Sequence, residues 1–312
     1  MKNVFLAVVA MALLLTSCES DKEGLSLRLK KGETYWQYMT SAVTMKQEFM
    51  GQKMNITMKV ISDVSYKVTD LTNDVFTFEV TYDKIAVETS LPQATMKFTS
   101  EENDSSNPMS ELMYNMLHTL TKESFILKMD KTGKVKDING LDELFDKMIA
   151  TLGDLPSAEK EQIKKEMASS FGEDQFKGNI ELVSAIFPDK EVGENQFWNV
   201  EIDLPSLNSS VGAKYHVTEE TSDYYIIEGN AEISKKDIEN APKLMNTNVS
   251  LLVDGTLTSR IKIDKKTGWT KEAKMIEHLE GDVLMSVDPS TGEAMKMPIV
   301  LNQEIDVKDT NK

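Results

Sequence analysis

Cysteine occurs once in the 312 residues, at Cys18, so no internal disulfide is available and the fold must be held by its core alone. Histidine is almost as scarce. His118, His216 and His278 show no His-x-x-x-His spacing, and no second cysteine is present to complete a zinc set. A Gly-x-Ser-x-Gly elbow, a Gly-x-Gly-x-x-Gly turn and a Walker-type loop are all missing, which leaves serine hydrolases and nucleotide cofactors unsupported. Basic residues are outnumbered, 35 Lys and Arg against 51 Asp and Glu, for a net charge of −16. Such a surface repels phosphate backbones, so nucleic acid is not an expected partner. Acidic pairs such as Glu101-Glu102 and Glu219-Glu220 say little in so acidic a chain, although a glycoside hydrolase needs just two carboxylates. Asp130-Lys131-Thr132-Gly133 and Asp288-Pro289-Ser290-Thr291-Gly292 lack the alternating oxygen ligands and closing Glu of a calcium loop and read as turns. The chain is expected to be no enzyme and to carry no metal or cofactor.

What is present begins at the N-terminus. Lys2, the apolar run Val4 to Leu15 and the small-residue approach Thr16-Ser17 have the form of a signal peptide. The run is too short for a permanent span, which needs about 20 apolar residues. Leu15-Thr16-Ser17-Cys18 resembles the lipobox of bacterial lipoproteins. The resemblance implies removal of residues 1–17, lipidation of Cys18, and anchoring in the outer membrane on its periplasmic or cell-surface face. Residues 18–24 form the tether. Within it, Glu19-Ser20-Asp21-Lys22-Glu23 resembles the acidic export tag of Bacteroidota-type lipoproteins; a simple solvated leash is the equal alternative. Loss of Lys2 leaves 34 basic against 51 acidic residues, a net charge of −17.

The remaining chain divides by periodicity. Val43, Met45 and Phe49, then Met54, Ile56, Met58 and Val60, alternate with polar residues around Met50-Gly51-Gln52, the pattern of a half-buried hairpin. Further strands are expected at Phe76 to Tyr82, Met96 to Phe98 and Phe125 to Met129. Helical spacing takes over in Met109 to Leu120 after Pro108, and again in Leu141 to Leu152, which Gly153 and Pro156 terminate. Ser157 is expected to cap a third helix that stops near Gly172. A fourth is expected over Phe176 to Phe187, ending at Pro188. Strands return at Phe197 to Ile202, Ala213 to Val217, Tyr224 to Ile233, Val249 to Ile263, Thr270 to Leu279, Val283 to Val287 and Pro298 to Val307, with turns at Asp264 to Gly268 and Asp288 to Gly292. The expected fold class is α+β and β-dominated, with residues 25–140 a first β-rich half carrying one helix, 141–187 a helical connector, and 188–312 a second β-rich half.

Three motifs echo between the halves in the same order. Lys31-Gly32-Glu33-Thr34-Tyr35-Trp36 matches the segment from Val192 to Trp198, Tyr66-Lys67-Val68-Thr69 matches Tyr215-His216-Val217-Thr218, and Lys128 to Gly133 matches Lys262 to Gly268. Internal duplication is the reading, with shared hairpin chemistry the alternative. It implies two similar antiparallel sheets or one bent sheet like a half-barrel, related by an approximate two-fold and covered by the central helices. Trp36 and Trp198 would then be equivalent buried anchors. The Gly-Glu-x-Tyr/Phe-Trp openings, the turn at residues 128–134 and Phe187-Pro188-Asp189-Lys190 with Gly193 are similar to an uncharacterised family of Bacteroidota lipoproteins, a domain of unknown function. That likeness covers most of residues 25–308 and implies no activity. In plan alone, the chain resembles the half-barrel lipoprotein carriers of the envelope, whose curved sheets enclose acyl chains.

Methionine is the compositional excess, 19 residues. Its positions follow the burial period, as gap-filling core would, yet flexible thioethers also line sites that adapt to apolar ligands. Copper would need His or Cys beside them. The leading expectation is a non-enzymatic lipoprotein holding a lipid or other apolar small molecule, lined by Met45, Met54, Met58, Met113 and Met116. The alternative is a surface-exposed structural or interaction protein that joins an envelope protein in an outer-membrane complex.

Overall fold

The computed structural model describes residues 24–49, 52–104, 106–153, 155–190, 192, 196–204, 207, 209–234, 249–288 and 293–310. The signal segment, Cys18, most of the tether, Met50-Gly51, Gly193 and the turn residues 289–292 lie outside them. Strands β1 (Thr34–Phe49), β2 (Gln52–Thr72), β3 (Val75–Leu91) and β4 (Ala94–Thr99) precede helix α1 (Pro108–Leu120). Strands β5 (Ser124–Asp130) and β6 (Val135–Asn139) lead to helices α2 (Leu141–Ala150), α3 (Ser157–Phe171) and α4 (Glu173–Ser184). The chain closes with β7 (Trp198–Leu204), β8 (Ser209–Glu220), β9 (Tyr224–Ile233), β10 (Val249–Asp264), β11 (Thr270–Asp288) and β12 (Glu293–Asp309). The protein is therefore β-dominated, as the alternation predicts. Among the described residues no helix is long and apolar enough to cross a membrane.

All twelve strands join one open antiparallel sheet in the order β6-β5-β3-β2-β1-β12-β11-β10-β9-β8-β7, with β4 added beside β3. Of the two arrangements expected, the single sheet is found. One face carries the core: Val64, Tyr66 and Val68 of β2, Phe76, Phe78 and Val80 of β3, and Ile261, Ile263 and Met275 across β10 and β11 are all buried at period two. The two ends of the main strand order, β6 and β7, are bridged by the last described helix; β4, paired only with β3, is a further edge. Helix α4 packs on both, the Glu181 carboxylate accepts from Val135 N at 2.8 Å, and Trp198 Nε1 donates to Ile186 O at 2.9 Å. Covering an edge this way removes unpaired N–H and C=O groups that would otherwise recruit another chain.

The echoed motifs occupy corresponding ladder positions. Strands β1-β2-β3-β5-β6 and β7-β8-β9-β10-β11 run across the sheet in the same order and direction, with β12 between the two sets. That order excludes a two-fold perpendicular to the sheet and fits a step along it, which on a bent sheet is a rotation about an axis along the strands. Tyr35 opposes Tyr66 as Trp198 opposes Tyr215. Bulges fall at Thr69 and Thr218, and each hydroxyl donates across the pair, to Thr77 O at 3.1 Å and to Ile226 O at 3.4 Å. At the β5–β6 and β10–β11 turns, Asp130 accepts from Thr132 N at 2.8 Å and Asp264 from Thr267 N at 2.9 Å. Beside those turns, Lys128 pairs with Asp137 at 2.8 Å and Lys262 with Glu272 at 3.2 Å.

Three local expectations are corrected. The ladder aligns Trp198 with Tyr35 rather than with Trp36; one residue of slip reverses the face, so Trp36 is only half-buried whereas Trp198 and Trp269 are buried. Thr270 to Leu279 and Val283 to Val287 form the single strand β11, because Gly281 makes no turn. A Cβ there would lie 2.1 Å from Leu252 O, so this glycine permits close approach of β10. Ser157 is the first residue of α3 and caps nothing; Pro156 is the N-cap position and no side-chain cap bond forms. By contrast, Asn107 does cap α1, its side chain accepting from Met109 N and Ser110 N ahead of Pro108 at the first helical position.

Candidate functional site

The strand register decides which methionines share a surface. Directly opposed residues on neighbouring strands point to the same face. Val43, Met58, Thr89 and Met96 therefore form one row across β1, β2, β3 and β4. Met45 with Ile56, and Gln47 with Met54, form the next two rows toward the hairpin tip. These rows continue across β12 and β11: Val43 faces Gln303, which faces Glu277, and Met45 faces Leu301, which faces Leu279. On the second half this face is closed, Leu257 being 4% and Leu279 3% exposed. On the first half the same face is open in the rows near the hairpin tip. Met54, Met58 and Met96 are 41%, 42% and 40% exposed.

The structure thus brings Met45, Met54 and Met58 together on one face. Met113 and Met116 stand on a different element, α1, which packs beside β3 and β4. Met116 packs against the core and Met113 is half-buried. Sequence reasoning missed Glu277, which lies among these rows between Leu257 and Gln303. Burial pushes its carboxyl up to about 6. Gln303 turns away from it and donates to Ser41 Oγ at 3.3 Å.

A second feature lies on the opposite face, where β8 to β12 form a trough with a cavity volume of about 920 Å³. Its cations are Lys214, Arg260, Lys262, Lys274 and Lys308, and its acids are Glu228, Glu272 and Asp306. The Phe197 ring, 54% exposed, stands at one end with Lys214 Nζ 4.3 Å above it and the His216 ring at 4.6 Å. None of the methionines expected to line a ligand contributes to it. Among the described residues no group of three or more His, Cys, Asp or Glu could hold a metal ion. His278 is bonded to Asn302 Oδ1 at 2.7 Å and to Glu280 at 3.0 Å; these acceptors raise its pKa.

The family of unknown function DUF6263 matches residues 73–270. No curated protein resembles the chain in sequence. Among solved structures, lipovitellin, studied for its lipid–protein interactions, is 10% identical with a TM-score of 0.49; the match covers 91% of this chain but only 26% of lipovitellin. An outer membrane channel from Pseudomonas putida F1 is 8% identical, TM-score 0.23, with 91% of this chain and 97% of the channel covered. A domain described as an outer membrane lipoprotein-sorting protein from Vibrio parahaemolyticus is 9% identical, TM-score 0.13, with 88% and 86% covered.

Proposed function

Because the chain belongs to the DUF6263 family, whose function is unknown, its role must be read from its own surfaces, and we propose that it is an outer-membrane lipoprotein, anchored through Cys18, that holds an acyl chain or similar apolar ligand without catalysing a reaction. One observation carries this reading. Toward the β1–β2 hairpin tip, the face that is closed core on the second half is left open on the first half, and there it is lined by Met54, Met58 and Met96, each about 40% exposed. Burying a large apolar side chain is worth roughly 1.5–3 kcal/mol. An acyl chain laid along these rows would recover much of that, and unbranched thioethers can adjust to its shape.

The site also stands away from residues 24–30, the first described segment. Residues 24–30 lie at the turn end of the sheet, where Leu27 N donates to Lys131 O at 2.8 Å and Arg28 N to Thr267 O at 2.7 Å. The methionines sit near the other end, by the Phe49/Gln52 hairpin closure. The 16 residues of β1 separate the two ends by roughly 50 Å at about 3.3 Å per residue.

The test uses the Cys18→Ser protein purified without detergent. Native mass spectrometry and lipid extraction are expected to find bound acyl material, and a fluorescent fatty acid to bind at least tenfold more weakly to the Met54→Asp/Met58→Asp protein. A ligand-free protein that takes up no fatty acid overturns the proposal.

A further inference from the structure

Ladder equivalence between the two halves supplies an internal control for the trough. Where β3, β5 and β6 place Glu79, Ile126 and Asn139 side by side, β9, β10 and β11 place Glu228, Arg260 and Lys274. Ser65 of β2 corresponds to Lys214 of β8, and Thr34, just ahead of Tyr35, corresponds to Phe197, just ahead of Trp198. The pair that serves the scaffold is kept in both halves, Lys128 with Asp137 and Lys262 with Glu272. What differs is Lys214, Arg260, Lys274 and an exposed ring in the second half, against Lys67 in the first half where the second has His216. The fold itself does not require them, since the first half forms the same strands without them.

Their arrangement also carries a cost. Arg260 and Lys274 are directly opposed on neighbouring strands, and like charges in that position repel. Each has a carboxylate beside it: Arg260 Nε is 3.5 Å from Glu228, inside the trough, and Lys274 pairs with Glu304, outside its lining. Lys308 lies opposite Glu272, which pairs with Lys262, and among the described residues no carboxylate forms an ion pair with Lys308. In a chain of net charge −16, this trough gathers five cations against three acids. An anion seated between Arg260 and Lys274 would relieve their repulsion through charge-assisted hydrogen bonds. Phe197 adds a flat apolar face at the trough's end, suited to the C–H face of a sugar ring.

We propose that the outer trough of β8 to β12 binds an acidic oligosaccharide, with Arg260, Lys274 and Lys308 receiving its anionic groups and Phe197 stacking on a sugar ring. Calorimetric titration at 50 mM salt would compare three probes: a hexagalacturonate, its fully methyl-esterified form and inorganic polyphosphate. The acid form is expected to bind, its ester at least tenfold more weakly, and binding to fall steeply with salt. Arg260→Ile and Lys274→Asn install the residues that the first half already carries at the same register. Each is expected to fold with an unchanged melting curve, and each to lose about tenfold in affinity for the acid form. Phe197→Thr is expected to weaken the oligosaccharide but not polyphosphate. Failure of the acid form to bind at millimolar concentration overturns the proposal, as does equal binding of the ester or unchanged binding by folded Arg260→Ile and Lys274→Asn proteins. Polyphosphate binding as tightly as hexagalacturonate, with Phe197→Thr neutral for both, overturns the sugar assignment.

Discussion

Gly133 and Gly268 close the two echoed turns at φ of +86° and +69°, and each is crowded by a chain segment passing beneath it. An added Cβ would sit 1.7 Å from Ser184 O at Gly133 and 2.1 Å from Ser26 O at Gly268. Gly133→Ala is therefore expected to cost at least about 3 kcal/mol in urea denaturation, from overpacking added to left-handed strain. Gly32, at φ +89° with open space around it, sets the comparison: Gly32→Ala should cost only about 1 kcal/mol. The carboxylates give two pH dependences of opposite sign. Burial pushes Asp130 up, but Lys136 and the Thr132 hydroxyl and N–H outweigh it and hold the carboxyl below its usual value. Its contribution is present above about pH 4 and is lost as pH falls through the lowered value, so Asp130→Asn should flatten the acid limb of the stability curve. Glu277 behaves the other way. Its pKa is raised from 4.5 to about 6, the folded state binds more protons between those values, and stability falls as pH rises through that window. Glu277→Gln is expected to stabilise the protein by about 1–2 kcal/mol at pH 7 and to change nothing at pH 4.

At the scale of elements, α4 covers the β6 and β7 edges of the sheet. The Glu181 side chain is 4% exposed and supplies the acceptor for the N–H of Val135 on edge strand β6. Glu181→Leu would leave that N–H without a partner and should cost about 1–3 kcal/mol, whereas Glu181→Gln keeps a carbonyl acceptor and should cost less. Both are read by thermal melts, with the leucine protein also expected to aggregate sooner through β6. The strand pattern was legible wherever one face is wet and one is dry, as in β3 with Phe76, Phe78 and Val80. It was misread at Gly281, because glycine beneath a neighbouring strand looks the same in sequence as glycine in a turn. The matching of Trp36 with Trp198 failed for a related reason: a string comparison tolerates an offset of one, and a pleated ladder does not.

For the whole molecule, the strap of residues 24–30 ties the N-terminus to the turns of both halves. Arg28 reaches Lys265 O at 2.5 Å, Lys266 O at 3.0 Å and Gly24 O at 2.6 Å. A tether of residues 18–24 spans at most about 25 Å when extended, so a lipid on Cys18 would hold the turn end near the bilayer and the methionine face far from it. A fluorophore at Lys266 of the lipidated protein in liposomes is expected to be quenched by headgroup-attached quenchers, and one at Lys53 is not. Equal quenching at both positions would overturn that orientation. Arg28→Ala should loosen the strap, seen as faster proteolysis within residues 24–33 and a loss of about 1–3 kcal/mol.

Period-two and helical spacing determined by themselves that this chain is β-dominated with a helical middle, because burial on one face writes itself directly into residue order. The ordered echoes likewise pointed to two halves of one plan, and the turn chemistry of Asp130 and Asp264 was visible in Asp-Lys-Thr-Gly and Asp-Lys-Lys-Thr-Gly. Only the tertiary structure decided that both halves share one sheet, that α4 bridges its edges, and that Met54 and Met58 stay open while Leu257 and Leu279, on the same face, are closed. The trough was hidden for the same reason. Arg260 and Lys274 face each other across the β10–β11 hairpin, but Lys214 is distant in sequence and joins them in the trough only because β8 and β10 flank β9 in the sheet.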